Sequence, residues 1–193
     1  MLQALANIFR IPDLRKKLIF TLAIIGIYRM GSHIPTPGIN GAALAQFFEN
    51  IAQAQGGTLF GIMSMFTGGA IERLTIFALG IMPAISASII MQLLTVVIPQ
   101  FEKLAKEGGE AGRRQLNQYS RYLTVVLGII QSTFIALWVQ NPGHFQGLQI
   151  VPNPGIPFIL LTVITLTSGT AFIMYLGEQI TERGIGNGIS LII

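Results

Sequence analysis

Cysteine is absent from the 193 residues. That excludes disulfides, thiolate zinc sites and a cysteine nucleophile, and leaves the redox compartment open. Charge is also scarce: Asp, Glu, Lys and Arg together make up 10% of the chain, against about a quarter in an average soluble domain. The scarcity is uneven, since residues 74–101, 122–144 and 145–177 carry no charged side chain, and mean hydropathy is +0.64. A bilayer-crossing helix needs only about 20 consecutive apolar residues, so these stretches read as membrane spans. The two histidines, His33 and His144, stand alone with no carboxylate or second histidine at ligand spacing, which argues against a metal or catalytic role. Basic surface interleaved with stacking aromatics, the mark of a nucleic-acid reader, is missing despite a net charge of +4.

The cations that are present are grouped. Arg10, Arg15, Lys16 and Lys17 form one cluster, Lys103, Lys106, Arg113, Arg114 and Arg121 a second, and Arg183 stands at a third position; only Arg29 and Arg73 lie elsewhere. Lys and Arg gather on the cytoplasmic side of membrane proteins, so these positions mark one face and orient the chain. Residues 1–17 read as an amphipathic cytoplasmic N-terminus and 18–34 as a first span, with Arg29 reaching the headgroups near its outer end. No small-residue cleavage site follows that span, so it does not read as a signal peptide. Residues 35–73 form an outer segment. Within it, the glycine-bracketed apolar stretch at about 58–69 is too short to span, and its backbone must be buried in protein or line a cavity.

The expected order continues with a second span at 74–98, kinked near its middle by Pro83, and a mobile cytoplasmic loop at 99–121. A third span at 122–140, an outer loop at 141–155, a fourth span at 156–176, a cytoplasmic turn at 177–188 and the start of a fifth span at 189–193 complete it. Because the sequence stops within an apolar run, further helices of the same protein are expected. Ile81 and Ile85, four apart on one helix, share a face, which by itself reads as ordinary lipid or helix packing. Gln92, Thr95 and Gln131 are uncharged polar residues on the second and third spans and by themselves suit interhelical hydrogen bonding. Glu178 and Glu182, beside Arg183, read as a solvated polar cap. Gly184-Ile185-Gly186-Asn187-Gly188 lacks the preceding strand of a dinucleotide loop and reads as a flexible turn.

Two stretches carry a family resemblance. Leu79-Gly80-Ile81-Met82-Pro83-Ala84-Ile85-Ser86-Ala87-Ser88, within 74–94, and Gly177-Glu178-Gln179-Ile180-Thr181-Glu182-Arg183-Gly184-Ile185-Gly186-Asn187-Gly188, within 175–190, resemble signature segments of the SecY family. Gly112-Arg113-Arg114 and Gln118-Tyr119-Ser120-Arg121-Tyr122 resemble its bacterial branch. The resemblance implies an all-α polytopic membrane bundle, the N-terminal part of a ten-helix SecY-like fold with a re-entrant plug helix. It implies a central pore subunit that conducts unfolded secretory polypeptides and releases apolar segments laterally into lipid, with no enzymatic chemistry and no cofactor.

By that resemblance the pore ring falls on Ile81, Ile85, Ile189 and Ile193. The plug falls on Thr58, Leu59, Phe60, Gly61, Ile62, Met63, Ser64, Met65, Phe66, Thr67, Gly68 and Gly69, although an outer hairpin that shields the bundle would also suit this stretch. The lateral gate falls on Gln92, Thr95 and Gln131. The implied partners are SecE and SecG, the SecA ATPase or a translating ribosome, signal sequences and unfolded preproteins, the lipid bilayer and the remaining helices of the same protein. The implied location is the bacterial plasma membrane, with the N-terminus cytoplasmic. A secondary transporter of a small solute is the alternative, since broken helices suit that class. Transporters place ionisable groups near the midplane, however, whereas every charge here lies near a span end or in a loop.

Overall fold

The computed structural model describes residues 11–54, 73–106, 108–145 and 147–192. Residues 1–10 of the expected amphipathic N-terminus, the whole expected plug and Ile193 lie outside these residues. The described elements are helices: α1 Pro12–Gly31, α2 Gly41–Ala54, α3 Met82–Val97, α4 Pro99–Lys106, α5 Gly109–Gln140, a 3-10 turn Pro142–Phe145, α6 Ile156–Arg183 and α7 Gly188–Ile192.

α1 starts where Pro12 occupies the first helical position, a place where its missing N–H costs nothing. Asp13 lies in its first turn and Arg29 in its last, each sign opposing the adjacent end of the helix dipole. The helix begins before the cationic triplet and ends before His33, so it is shifted toward the N-terminus relative to the expected 18–34 span. Ser32 closes it, its backbone N–H and its hydroxyl both donating to the Tyr28 carbonyl, at 3.0 and 2.8 Å. α2 lies in the segment expected to be an outer connection. Asn40 caps it, with Oδ1 accepting from the Ala42 and Ala43 N–H groups at 3.2 and 3.3 Å, as capping residues do.

The expected second span is corrected most. Helix begins only at Met82, so Pro83 sits in the first turn and not at a mid-span kink. Residues 73–81 form turns, because Leu74 and Gly80 take positive φ (41° and 55°) and the backbone pairs elsewhere. The Thr36 N–H donates to the Leu74 carbonyl and the Ile76 N–H to the Ile34 carbonyl, each at 3.0 Å. At the other end of α3, Ile98 is extended, as a residue before proline prefers, and α4 leaves at 100° to α3.

The stretch 99–121 is likewise not a loose loop. It consists of α4 and the first turns of α5, held face to face because Gly108 and Gly112 lie against the Leu104 carbonyl, where a Cβ would not fit. Phe101 meets Tyr119 edge-on at 5.7 Å. Lys106 donates to Glu102 at 2.6 Å, and this hydrogen bond raises the lysine pKa above its ordinary value. α6 runs seven residues past the expected end of the fourth span, which narrows the expected turn to 184–187.

α5 runs antiparallel to both α3 and α6. Ser88 and Ser120 hydroxyls lie 3.5 Å apart between α3 and α5. Ser132 and Thr167 lie 3.4 Å apart between α5 and α6, and Gln140 Nε2 donates to the Gly155 carbonyl at 2.9 Å. Two apolar clusters result. One joins Leu44 and Phe47 of α2 to Leu74, Leu79, Val139, Phe145, Phe158 and Leu166. The other joins Ile24 and Tyr28 of α1 to Phe77, Ile81, Ala84, Ile173, Leu176, Ile180 and Ile192. Phe77 ties the second together, stacked between Tyr28 at 5.7 Å and Phe172 at 6.2 Å, with its ring on Gly31.

Candidate functional site

α5 and α6 are long and apolar enough to cross a membrane, and the bent pair α3–α4 qualifies as a third candidate span. Their outward faces suit lipid. Val126, Ile129, Ile130, Phe134 and Leu137 are exposed on α5, and Leu160, Leu161, Ile164 and Phe172 on α6. Contiguous apolar surface of this extent is foreign to a water-facing monomer. Tyr122 and Trp138 bracket the apolar part of α5, about 24 Å apart at 1.5 Å per residue, where amphipathic rings favour the two interfaces.

The break before α3 positions the most distinctive residues. Ile81 is the N-cap of α3, and its carbonyl accepts from both Ala84 and Ile85 at 3.0 Å. Ile81 is buried, while Ile85 and, from α7, Ile189 are half-buried against the same cluster. Three of the four residues assigned to a ring therefore meet in one apolar group. They come from the start of α3 and from α7, more than a hundred positions later in sequence. α7 can approach because Gly188 lies directly on the Gly177 carbonyl of α6, and Ile189 and Ile192 pack at Gly177.

Below this cluster lies an open cavity of about 360 Å³, lined by Ser88, Asn117, Thr124, Glu182 and Asn187 among others, with Ile189 at its rim. Across it Arg121 Nε donates to Glu178 Oε1 at 2.8 Å. The expected solvated carboxylate cap is thus corrected for Glu178, which joins α6 to α5. Its signal was present in the sequence: Arg121 is the last charge before one span and Glu178 the first after the next, which an antiparallel pair brings level.

A second groove of about 370 Å³ between α3, α4 and α5 is lined by Gln92, Thr95, Arg113, Asn117 and Ser120. Gln92 and Thr95 are therefore together, with the Thr95 hydroxyl donating to the Gln92 carbonyl at 2.6 Å. Gln131 is not with them. Counted from the Ser88–Ser120 level, it lies toward the opposite end of α5, about 22 Å from Gln92 along the axis.

The lone histidines make local contacts. His33 Nδ1 lies 2.8 Å from the Arg29 carbonyl, and His144 stacks on Trp138 at 5.8 Å. Among the described residues no group of three His, Cys, Asp or Glu side chains is placed to hold a metal.

The family model of SecY matches residues 75–193. The chain belongs to the SecY family. It is 51% identical over 193 residues to the protein translocase subunit SecY of Aquifex aeolicus, covering all of this chain and 44% of that relative. To the subunit of the same name from Streptomyces galbus it is 53% identical over 196 residues, again covering all of this chain and 44% of the relative. The chain thus spans less than half the length of these SecY relatives. Two solved structures share its fold with a TM-score of 0.60 at 19% identity, covering 92% of this chain and 35% of theirs. One is Sec61 in the canine ribosome–channel complex from the endoplasmic reticulum, the other a protein-conducting channel. The relatives are named for protein translocation, which is not an enzyme class, and the secondary-transporter alternative finds no support among them.

Proposed function

We propose that this chain is the N-terminal part of a membrane channel that conducts unfolded polypeptides and releases apolar segments sideways into lipid, with Ile81, Ile85, Ile189 and Ile193 contributing to its constriction. The observation that carries this reading is the meeting of Ile81, Ile85 and Ile189 in one apolar group at a helix start. Branched apolar side chains on a narrow passage exclude water when empty and yield around an extended chain, which is gating by dewetting. The names of the relatives support the cargo. In this reading residues 58–69 close the passage from outside, Gln92 and Thr95 line one wall of the lateral exit, and Gln131 belongs to a different level of that wall. SecE and SecG complete the channel, the SecA ATPase or a translating ribosome drives the chain, and the assembly sits in the bacterial plasma membrane with its N-terminus in the cytoplasm.

The test is ion conductance of the full-length channel in a planar bilayer with no translocating chain. Ile85→Asp is expected to raise resting conductance, because a charge wets the ring, whereas Ile85→Leu keeps volume and apolarity and stays sealed. Ile90→Asp, on another face of α3 and exposed, is the control and leaves resting conductance low. Wild-type conductance in Ile85→Asp would remove Ile85 from the seal.

A further inference from the structure

The expected flexible turn between α6 and α7 is held at both ends by threonine hydroxyls. Thr181, in the last turn of α6, donates its hydroxyl hydrogen to the Gly177 carbonyl at 2.9 Å, and the same oxygen accepts from the Gly188 N–H at 2.9 Å. Thr21, buried on α1, donates to the Lys17 carbonyl at 2.9 Å and accepts from the Ile185 N–H at 3.2 Å. Each hydroxyl spends its one hydrogen on its own helix and turns a lone pair to the connecting backbone, within the capacity of the group. The glycines make the approach possible: a Cβ at Gly184 would stand 2.5 Å from Thr21 Oγ1, and one at Gly188 would overlap the Gly177 carbonyl. Gly186 supplies the left-handed residue at φ +74°, and Asn187 Oδ1 accepts from the Ile189 N–H at 3.1 Å to start α7.

We infer that Thr181 is a positioning residue that locks the 184–187 turn and thereby fixes where α7 presents Ile189 to Ile81 and Ile85, with Thr21 as a weaker second point of attachment. The inference deepens the proposed constriction and rests on it for its functional half. Thr181 outranks Thr21 because its bond is shorter and holds the first residue of α7 itself. Thr181 also lines the open cavity, together with Ile189. If the hydroxyl is removed, water satisfies the Gly188 N–H from that cavity but does not hold it in place.

The experiment uses the full-length channel and two readouts. Amide hydrogen exchange of residues 184–192 reads the lock, and resting ion conductance in a planar bilayer reads the seal. Thr181→Val keeps the shape and deletes the hydroxyl; exchange is expected to rise about five- to tenfold, the scale of one lost hydrogen bond, and resting conductance to rise with it. Thr181→Ser restores both to wild type. Thr165→Val deletes a hydroxyl of the same helix that bonds only its own backbone, at 2.7 Å to the Leu161 carbonyl, and leaves both unchanged. Thr21→Val gives the same direction with a smaller change and serves if Thr181→Val does not fold. Unchanged exchange in Thr181→Val, or in Thr21→Val where only that variant folds, overturns the lock whatever the conductance does. Faster exchange with a wild-type seal overturns its role in positioning Ile189. A failed constriction is distinguished by Ile85→Asp, which would then leave conductance low while the exchange result stands.

Discussion

Gly169 and Gly26 both sit inside apolar helices, yet a methyl group would meet different surroundings at each. At Gly169 a Cβ would overlap the Ile76 carbonyl of the turn segment that crosses α6; at Gly26 nothing lies within 4 Å. Gly169→Ala is therefore expected to destabilise by about 1–3 kcal/mol through overpacking. Gly26→Ala is expected to be neutral or to gain about 0.5–1 kcal/mol of helix preference. Thermal unfolding in detergent checks both, and equal midpoints for the two variants would contradict the close crossing at Gly169. The Arg121–Glu178 contact is modest by the same reasoning: side-chain exposures of 49% and 28% leave it partly screened. A double-mutant cycle should return about 0.2–1 kcal/mol, falling as salt is raised. A salt-independent value above that range would mean the pair is more enclosed than its exposure indicates.

At the scale of elements, α4 rests on α5 through a backbone contact as well as the Phe101–Tyr119 rings, since Gly112 lies against the Leu104 carbonyl. Gly112→Val should push α4 away and loosen its backbone around Lys103 and Lys106, whose side chains are already exposed, so that tryptic cleavage there quickens in the folded protein. An unchanged rate would show that this contact does not hold α4. Such contacts explain what was and was not legible in the sequence. The uncharged runs announced α5 and α6, because length and apolarity alone decide a span. They did not announce the start of α3, because residues 74–81 are as apolar as the helix that follows. What stops helix there is pairing with residues 34–36 and positive φ at Leu74 and Gly80, a tertiary cause invisible to periodicity. The glycines of 108–112 read as looseness for a related reason: from sequence, a glycine that permits close packing looks the same as one that permits motion. Ile81 and Ile85 were legible as one face from their spacing, but the approach of Ile189 depends on Gly177 and Gly188 meeting, which no local pattern encodes.

For the whole molecule, the antiparallel packing brings the charged ends together. Thr21 of α1 meets the 184–187 turn, Arg121 of α5 meets Glu178 of α6, and α4 folds onto the start of α5. Among the described residues, Arg15, Lys16, Lys17, Lys103, Lys106, Arg113, Arg114, Arg121 and Arg183 thus share one end of the bundle with Asp13, Glu102, Glu110, Glu178 and Glu182. Arg29 closes the opposite end of α1. The excess of cations at one end predicts that this end faces the cytoplasm. Labelling at a single introduced cysteine tests it without interference from the described part, because the chain has no cysteine of its own. Gly109 is a poor place for the label: its φ is +53°, and a side chain there strains the start of α5. Glu110 is the better choice, since its side chain is 90% exposed and its contact at 3.9 Å is to Arg114, itself 81% exposed, a contact whose loss is of little consequence. In sealed vesicles, Glu110→Cys should react with a membrane-impermeant thiol reagent only from the cytoplasmic face. Reaction from the outer face alone would invert α3, α5 and α6 together, because their packing fixes them relative to one another. It would also place residues 35–54 inside the cell, where no blocking segment could close a passage from outside, so one labelling result bears on the orientation of every described helix.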